Sequence, residues 1–292
     1  LDTLLYTAHG HFVAGAELFA NAVFGIGIAE AQSTDPSHRL LLEAVLSACT
    51  RAALPKNELH GTATGMFLGI CNVWDWQLVL RDRGTAINVY TMHGIDGGAA
   101  AGRVSYLFGL KGPCFSVNTA CSSSLVALDA ACQNMQLGTC ERSLVAGVCL
   151  QLHSSSWIGF CALRALAPDG QCKTFDDRAD GYGRSEGCGV LVLEPSVSGG
   201  LLEISGTSVN RVAHSSGCRF LCCIQGASVN QDGRSASFMA PNGPTQEAVI
   251  RAAMAHSAAL DAVEAHGTGT ALGDPMELGA LFMVLGAGAS AA

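Results

Sequence analysis

In the stretch VNTACSSSLVAL, residues 117–128, a single cysteine stands between a β-prone run and a serine-rich helix start. The run PCFSVNTA has strand-type residues and ends at Ala120. After Cys121, Leu125, Leu128, Cys132 and Met135 recur at steps of 3, 4 and 3, one stripe of a helix, and Gly138 is a suitable stop. Cys121 is therefore expected where a strand turns sharply into a helix. Backbone N–H groups without intrahelical partners and the positive end of the helix dipole collect at such a point. Both favour thiolate over thiol, and the same amides could stabilise an oxyanion on an attacked carbonyl. The geometry is that of a nucleophile elbow with sulfur in place of oxygen. The alternative reading of the position is a buried structural cysteine.

A cysteine nucleophile calls for a histidine. Of the nine histidines, His266 differs from the rest: it follows LDAVEA and opens HGTGTALGDP. Two glycines and two threonines directly after it predict a tight, polar, backbone-rich loop at a strand end. The spacing matches neither G-x-G-x-x-G nor the P-loop, which weakens a phosphate-cradling reading.

The elements that must hold these residues alternate. TGMFLGI (64–70), SLVAGVCLQL (143–152), CGVLVLEP (188–195) and LLEISGTSV (201–209) are short apolar runs suited to buried strands. DPSHRLLLEAVLSAC predicts a helix capped by Asp35 with Pro36 in its first position, and GPTQEAVIRAAMAH one opened by Pro244. GDPMELGALFMVL predicts another, with Asp274 as cap, Pro275 first and Glu277 third, a capping-box spacing. The alternation indicates an α/β protein with a substantial sheet. SGTSVN (205–210) recurs as QGASVN (225–230), which suggests a duplicated edge segment with SSGCRFLCC inserted between the copies.

Composition bounds the function. The chain has 292 residues, about half apolar and 14% charged, enough for a large core. A net charge of −8 and no basic run argue against nucleic acid as a partner. The uncharged run from Leu278 to Ala292 has 15 residues, whereas a membrane helix needs about 20. No secretory leader opens the chain, and the cytoplasm is the expected location, with a plastid left open. Most of the thirteen cysteines are expected as core filler. No C-x-x-C pair exists, and Cys218, Cys222 and Cys223 lack a second ligand pair, so no metal site is expected.

Five stretches in order, DPSHRLLLEAVLSA, AAAGRVSYLFGLKGPCFSVNTACSSSLVALDAACQ, DGQCKTFDDRADGYGRSEGCGVLVLEP, SVNQDGRSASFMAPNGPTQEAVIRAAM and VEAHGTGTALGDPMELGAL, span most of residues 20–282. On them the sequence resembles a β-ketoacyl synthase, the condensing domain of modular polyketide synthases and type I fatty acid synthases, cut short at both ends. TACSSSL and EAHGTGT together are highly specific. The resemblance implies a thiolase fold of two βα halves, each a mixed sheet sandwiched by helices, with the second half incomplete. It implies an N-terminal half over 1–198 carrying the nucleophile and a partial C-terminal half over 199–292. It also implies a mechanism. Cys121 accepts an acyl chain from a carrier-protein thioester; a malonyl-type extender on another carrier loses CO₂; the enolate attacks the acyl-cysteine. His266 assists decarboxylation and stabilises the enolate oxygen. Thr268 and Thr270 match positions that hydrogen-bond the phosphopantetheine arm, Glu277 matches a structural acid, and the segment from Asp176 to Glu186 walls the acyl pocket. No cofactor is bound by the protein itself. The implied partners are an acyl carrier protein and, in a homodimer, a second copy.

The sequence departs from the family in places. The second family histidine, in a Lys-x-Asn-x-Gly-His stretch, is not among the 26 residues after His266, nor is the closing Gly-Phe loop. The opening strand with its Val-Gly pattern is missing, which predicts an unpaired sheet edge. Asn118 stands where Asp is usual and Ser185 where Gly is usual; the segment from Arg211 to Gly226 has no family counterpart. These features keep a second hypothesis open, a non-catalytic thiolase-fold fragment serving as a dimer or scaffold partner. A thiolase-type enzyme acting on coenzyme A thioesters is opposed by the Cys-then-HGTGT pattern.

Overall fold

The computed structural model describes residues 5–71, 74–196, 202–210, 222–237, 240–255 and 260–286. Its strands are β1 (Gly10–His11), β2 (Thr64–Ile70), β3 (Cys114–Val117), β4 (Arg142–Cys149), β5 (Arg184–Ser185), β6 (Gly187–Pro195), β7 (Leu202–Val209) and β8 (Cys222–Ile224). The helices are α1 (Ile28–Ser33), α2 (Pro36–Arg51), α3 (Lys56–Leu59), α4 (Asp75–Asp82), α5 (Thr91–Ile95), α6 (Gly97–Phe108), α7 (Ser123–Gln136), α8 (Ser154–Ala162), α9 (Gly243–Ala253) and α10 (Gly273–Leu285). By packing, the chain divides into two compact units. One comprises Phe12–Ser154 and Glu186–Ile224; the other comprises Leu1–His11, Ser155–Ser185 and Gln225–Ala292.

The first unit is built on a six-stranded mixed sheet in the order β3-β2-β4-β6-β7-β8. β3, β2 and β4 run parallel, and β6, β7 and β8 continue antiparallel. β2 is buried along its whole length, as its unbroken apolar run predicts. Alternation sends Met66, Leu68 and Ile70 to one face, where they join Leu144, Ala146 and Val190 and the inner sides of α2 and α6 in a single core. The opposite face presents Phe67, Gly69, Val145 and Gly147. There α7 lies so close that a Cβ on Gly69 would stand 2.5 Å from the backbone of Ser123 and Ser124. A Cβ on Gly147, the register partner of Gly69, would stand 2.8 Å from Ser124 Cβ. The glycine pair is a seat cut into the sheet for the first turn of this helix.

The second unit pairs β1 with β5 in parallel and packs α9 against α10. Tyr6 Oη donates to the Leu166 carbonyl, and the Arg184 guanidinium lies 4.4 Å from the centre of the Phe160 ring.

Three expectations change. Of the twelve described cysteines only Cys49, Cys132, Cys140, Cys161 and Cys188 are buried, so core filling accounts for fewer than half; Cys218 lies outside the described residues. The first copy of the echoed segment lies largely in strand β7, but Gln225–Asn230 forms no regular element; it follows β8, the border strand of the sheet, which ends at Ile224. α10 lacks the predicted capping box: it begins at Gly273, Leu272 holds the cap position without a side-chain bond, and both carboxylates of the motif turn elsewhere.

Candidate active site

β3 ends at Val117, and the chain reaches α7 through a single 3-10 turn, Ala120–Ser122, with Cys121 at its centre and exposed. The strand-to-helix turn expected from the sequence is therefore present. Four short polar side chains fix it. Asn118 Oδ1 accepts from the Ala120 N–H at 3.1 Å. Ser123 Oγ accepts from the Thr119 N–H at 2.9 Å and donates to the Ala120 carbonyl at 2.7 Å. Ser122 Oγ donates to the carbonyl of Thr119 at 3.0 Å and meets its hydroxyl at 2.9 Å. Ala120 is held at φ 55°, in the left-handed region that a side chain ordinarily avoids. Asn118, where Asp is usual in the family, thus supplies a carbonyl oxygen as acceptor.

Ser122 makes no side-chain cap bond to α7, and the first turn of this 14-residue helix brings its dipole and N–H groups up to the cysteine. Other thiols of this unit are buried. Burial pushes the Cys49 thiol up to about 12 and that of Cys132 up to about 11, forms that do not attack at neutral pH. The predicted α7 stripe is helical, but its buried residues are Ser123, Ala127, Asp129, Ala131 and Cys132, most of them small enough to fit the glycine seat; Leu125 points outward, 66% exposed.

In the second unit, His266 opens a loop held by two carboxylates from α10. Glu277 Oε1 accepts from the His266 N–H at 2.7 Å, and its Oε2 accepts from the Gly267 N–H at 2.9 Å. Asp274, buried, accepts from the Gly269 N–H at 3.0 Å and from the Phe175 N–H at 2.7 Å. Gly267 and Gly269 have φ of 51° and 71°, and a Cβ on Gly269 would stand 2.7 Å from Lys173 N. Glycine is thus required at 269 both for its dihedral and for the close pass of the chain beneath it. The Thr268 and Thr270 hydroxyls lie 3.1 Å apart, and Thr270 Oγ1 also accepts from the Gly273 N–H. His266 is exposed at the loop's start.

The segment from Asp176 to Glu186 is salt-bridged at its start, where Arg178 holds the Asp176 carboxyl well below the usual carboxylate range. At its end Glu186 accepts from the Val13 and Gln151 N–H groups at 2.9 and 2.8 Å within the first unit. Asp274 and Glu186 are structural acids that sequence reasoning missed in these roles. Their signal was present as lone carboxylates beside apolar runs, but the N–H groups they serve come from distant segments. Among the described residues no group of three or more His, Cys, Asp or Glu side chains is placed to hold a metal ion. Nor is any described helix long and apolar enough to cross a membrane.

Residues 2–198 match the family described as beta-ketoacyl synthase, N-terminal domain, and residues 221–292 match beta-ketoacyl synthase, C-terminal domain. The chain belongs to the β-ketoacyl synthase family. This ketosynthase chain is 42% identical over 285 residues to mycoketide-CoA synthase of Mycobacterium tuberculosis, covering 96% of the chain and 6% of that protein. It is 41% identical to erythronolide synthase EryA2 of Saccharopolyspora erythraea, covering 96% and 8%. Among solved structures, the ketosynthase from module 6 of the bacillaene synthase of Bacillus subtilis 168 superposes with a TM-score of 0.78 at 32% identity, over 93% of this chain and 45% of that one. An oxazolomycin ketosynthase domain from Streptomyces albus JA3453 gives a TM-score of 0.80 at 30% identity, over 94% and 46%. The chain therefore spans less than half of the solved chains and a small fraction of the curated relatives. The fold is the thiolase fold of the ketosynthases, and the family is one of acyl-transferring condensing enzymes. The C-terminal match begins at 221, so the tail of the segment thought to lack a counterpart, 221–226, lies inside it; residues 211–221 lie outside the described ones.

Proposed function

We propose that this chain belongs to the condensing site of a polyketide synthase and that Cys121 is its acyl acceptor. The Cys121 sulfur attacks the carbonyl of an acyl thioester carried on the phosphopantetheine arm of an acyl carrier protein. The new C–S bond forms as the carrier thiolate leaves and takes up a proton. A malonyl-type extender then loses CO₂; its enolate carbon attacks the acyl-cysteine, a C–C bond forms, and the C–S bond breaks to return the thiolate. His266 assists the decarboxylation and stabilises the enolate oxygen. Thr268 and Thr270 hydrogen-bond the pantetheine arm, and Glu277 fixes the loop that presents them. The exposed thiol at a strand-to-helix turn, in a chain whose family matches cover both halves of a ketosynthase, carries this reading.

The family matches also support a division into an N-terminal half, 1–198, and a C-terminal half, 199–292. The reading includes a homodimer formed through the β3 edge. It is supported by the position of β3 at the border of the sheet and by exposed apolar side chains at Phe115 and Leu125. No cofactor of the protein's own enters the scheme. A cytoplasmic location is part of the same reading.

The test is incubation with an acyl thioester of pantetheine or carrier protein, followed by intact mass measurement. One acyl adduct on Cys121 is expected, absent from Cys121→Ala; labelling that persists in that variant overturns the assignment. Release of CO₂ from a malonyl thioester tests His266 separately. A rate unchanged in His266→Ala removes that residue from the chemistry.

A further inference from the structure

β2 and β4 lie side by side in parallel, with Gly69 opposite Gly147 and Ile70 opposite Val148. One step further out, Cys71 and Cys149 bring their sulfurs to 3.6 Å. By strand alternation they project from the same face as the glycine pair, the face that seats α7. The two thiols are therefore the next layer out from that seat, at the end of the sheet where β3 delivers the chain to Cys121. Both are half-buried, so a small oxidant reaches them. Gln151 Nε2 donates to the Cys149 sulfur at 3.3 Å, a contact suited to the thiolate that begins such chemistry.

Neighbouring strands lie about 4.8 Å apart, within the roughly 4.4–6.8 Å Cα separation a disulfide spans. Side-chain rotation alone can close the remaining gap between the sulfurs. Cys49 and Cys132, by contrast, are sealed in the core with thiols pushed far up by burial.

We propose that Cys71 and Cys149 form a redox-responsive dithiol, which a hydroperoxide converts to an intramolecular disulfide beside the turn that carries Cys121. In the first step the Cys149 sulfur attacks the peroxide oxygen; the O–O bond breaks, an alcohol or water leaves, and Cys149 becomes a sulfenic acid. The Cys71 thiol then attacks that sulfur, the S–S bond forms, and the sulfenic hydroxyl leaves with the Cys71 proton as water. Two thiols are oxidised, one peroxide is reduced, and a dithiol reductant reverses the change. The cross-link ties β2 to β4 next to the helix seat and slows the reaction of Cys121 with electrophiles. The inference goes beyond the condensation reading and does not depend on it.

The experiment treats the Cys121→Ala form of the whole 292-residue chain with equimolar hydrogen peroxide. Remaining thiols are then alkylated and peptides mapped without reduction. A Cys71–Cys149 cross-link, lighter by two hydrogens, lost on adding dithiothreitol and absent from Cys71→Ser and Cys149→Ser, is expected. Alkylation of both thiols after peroxide treatment, or linkage of Cys71 to some other cysteine, overturns the proposal. In the chain with Cys121 present, the iodoacetamide rate at Cys121 is expected to fall more after peroxide treatment than it does in Cys71→Ser, and to recover with dithiothreitol. Equal falls in the two proteins overturn the link to Cys121. Circular dichroism and thermal unfolding of each variant distinguish a lost disulfide from a lost fold.

Discussion

The turn around Cys121 and the loop around His266 are both short, backbone-rich and exposed at the residue that would react, yet they are held in different ways. The cysteine turn rests on sterics. Two glycines in adjacent strands let α7 press against the sheet, and neutral hydroxyls and one amide stitch the turn to itself. The histidine loop rests on charge: Glu277 and Asp274 accept four backbone N–H groups between them, one of them from Phe175 far upstream. A site held by packing fails when volume is added. A site held by carboxylates fails when charge is removed.

The largest effect expected is that of Cys121→Ala, which separates chemistry from support. It should abolish the acyl adduct while shifting stability by less than about 0.5 kcal/mol, because the side chain is exposed and fills no core space. Mass spectrometry and urea unfolding check the two halves of that statement. Next comes Gly69→Ala. Its Cβ would meet the backbone of Ser123 and Ser124 at 2.5 Å, so the helix must shift, at about 3 kcal/mol, with slower labelling of Cys121. Gly102→Ala is the control: nothing lies within 4 Å of its Cβ, on an exposed position of α6, and it should stabilise by roughly 0.5–1 kcal/mol. Equal effects at both glycines would end the steric account.

If packing rather than charge holds the first region, the pH response of its unit should come from elsewhere. The buried start of α2 supplies two opposed groups. Burial, with Arg103 nearby, lowers His38 to about 3, and neither ring nitrogen has a hydrogen-bond partner among the described residues. Its stabilising contribution is present above its ordinary value of 6.5 and is lost as pH falls toward 3. Burial raises Asp35 to about 6 from 3.8, against the Ser37 N–H it caps and the Arg39 charge. Its contribution is present below 3.8 and is lost as pH rises through 6. Between pH 6 and 3.8 the two slopes oppose, each worth about 1.4 kcal/mol per pH unit. On acidification across that window Asp35→Asn should lose stability and His38→Gln should gain it, with the parent nearly level. Urea titrations at three pH values measure this, and parallel slopes in all three proteins would refute it.

A local effect belongs to the charge-held loop. Glu277→Gln keeps one acceptor oxygen and loses the other along with the charge, costing about 1–2 kcal/mol. The loss should appear as faster amide exchange at His266 and Gly267, with Cys121 labelling unchanged. Exchange as slow as in the parent would show that glycine geometry alone sets the loop.

The same contrast decides what could be read from the sequence. β2 was legible to the residue because an unbroken apolar run between turns has few other uses. α2 was legible because Asp35-Pro36 supplies both its cap and its first position. Cys121 and His266 were legible one at a time, since each sits in an unusual local setting. What holds them was legible only at Glu277, which the family resemblance marked as a structural acid. Asp274 and Glu277 have the spacing of a helix cap, and only the folded chain brings the 266–270 loop close enough to take them away from that role. β1, β5 and β8 are two or three residues long and exist only because a distant partner lies alongside. The α7 stripe misled for a related reason: the seat below it is made of glycines, so small side chains face the sheet and Leu125 faces out.

Ala120 carries a last consequence. A residue with a methyl group held at a left-handed dihedral stores strain immediately before Cys121. Trimming that methyl to hydrogen would relax the backbone and make the molecule sturdier, yet it would also let the thiol wander. Aim and robustness are thus set against each other by one carbon atom, and the sequence at position 120 has settled on aim.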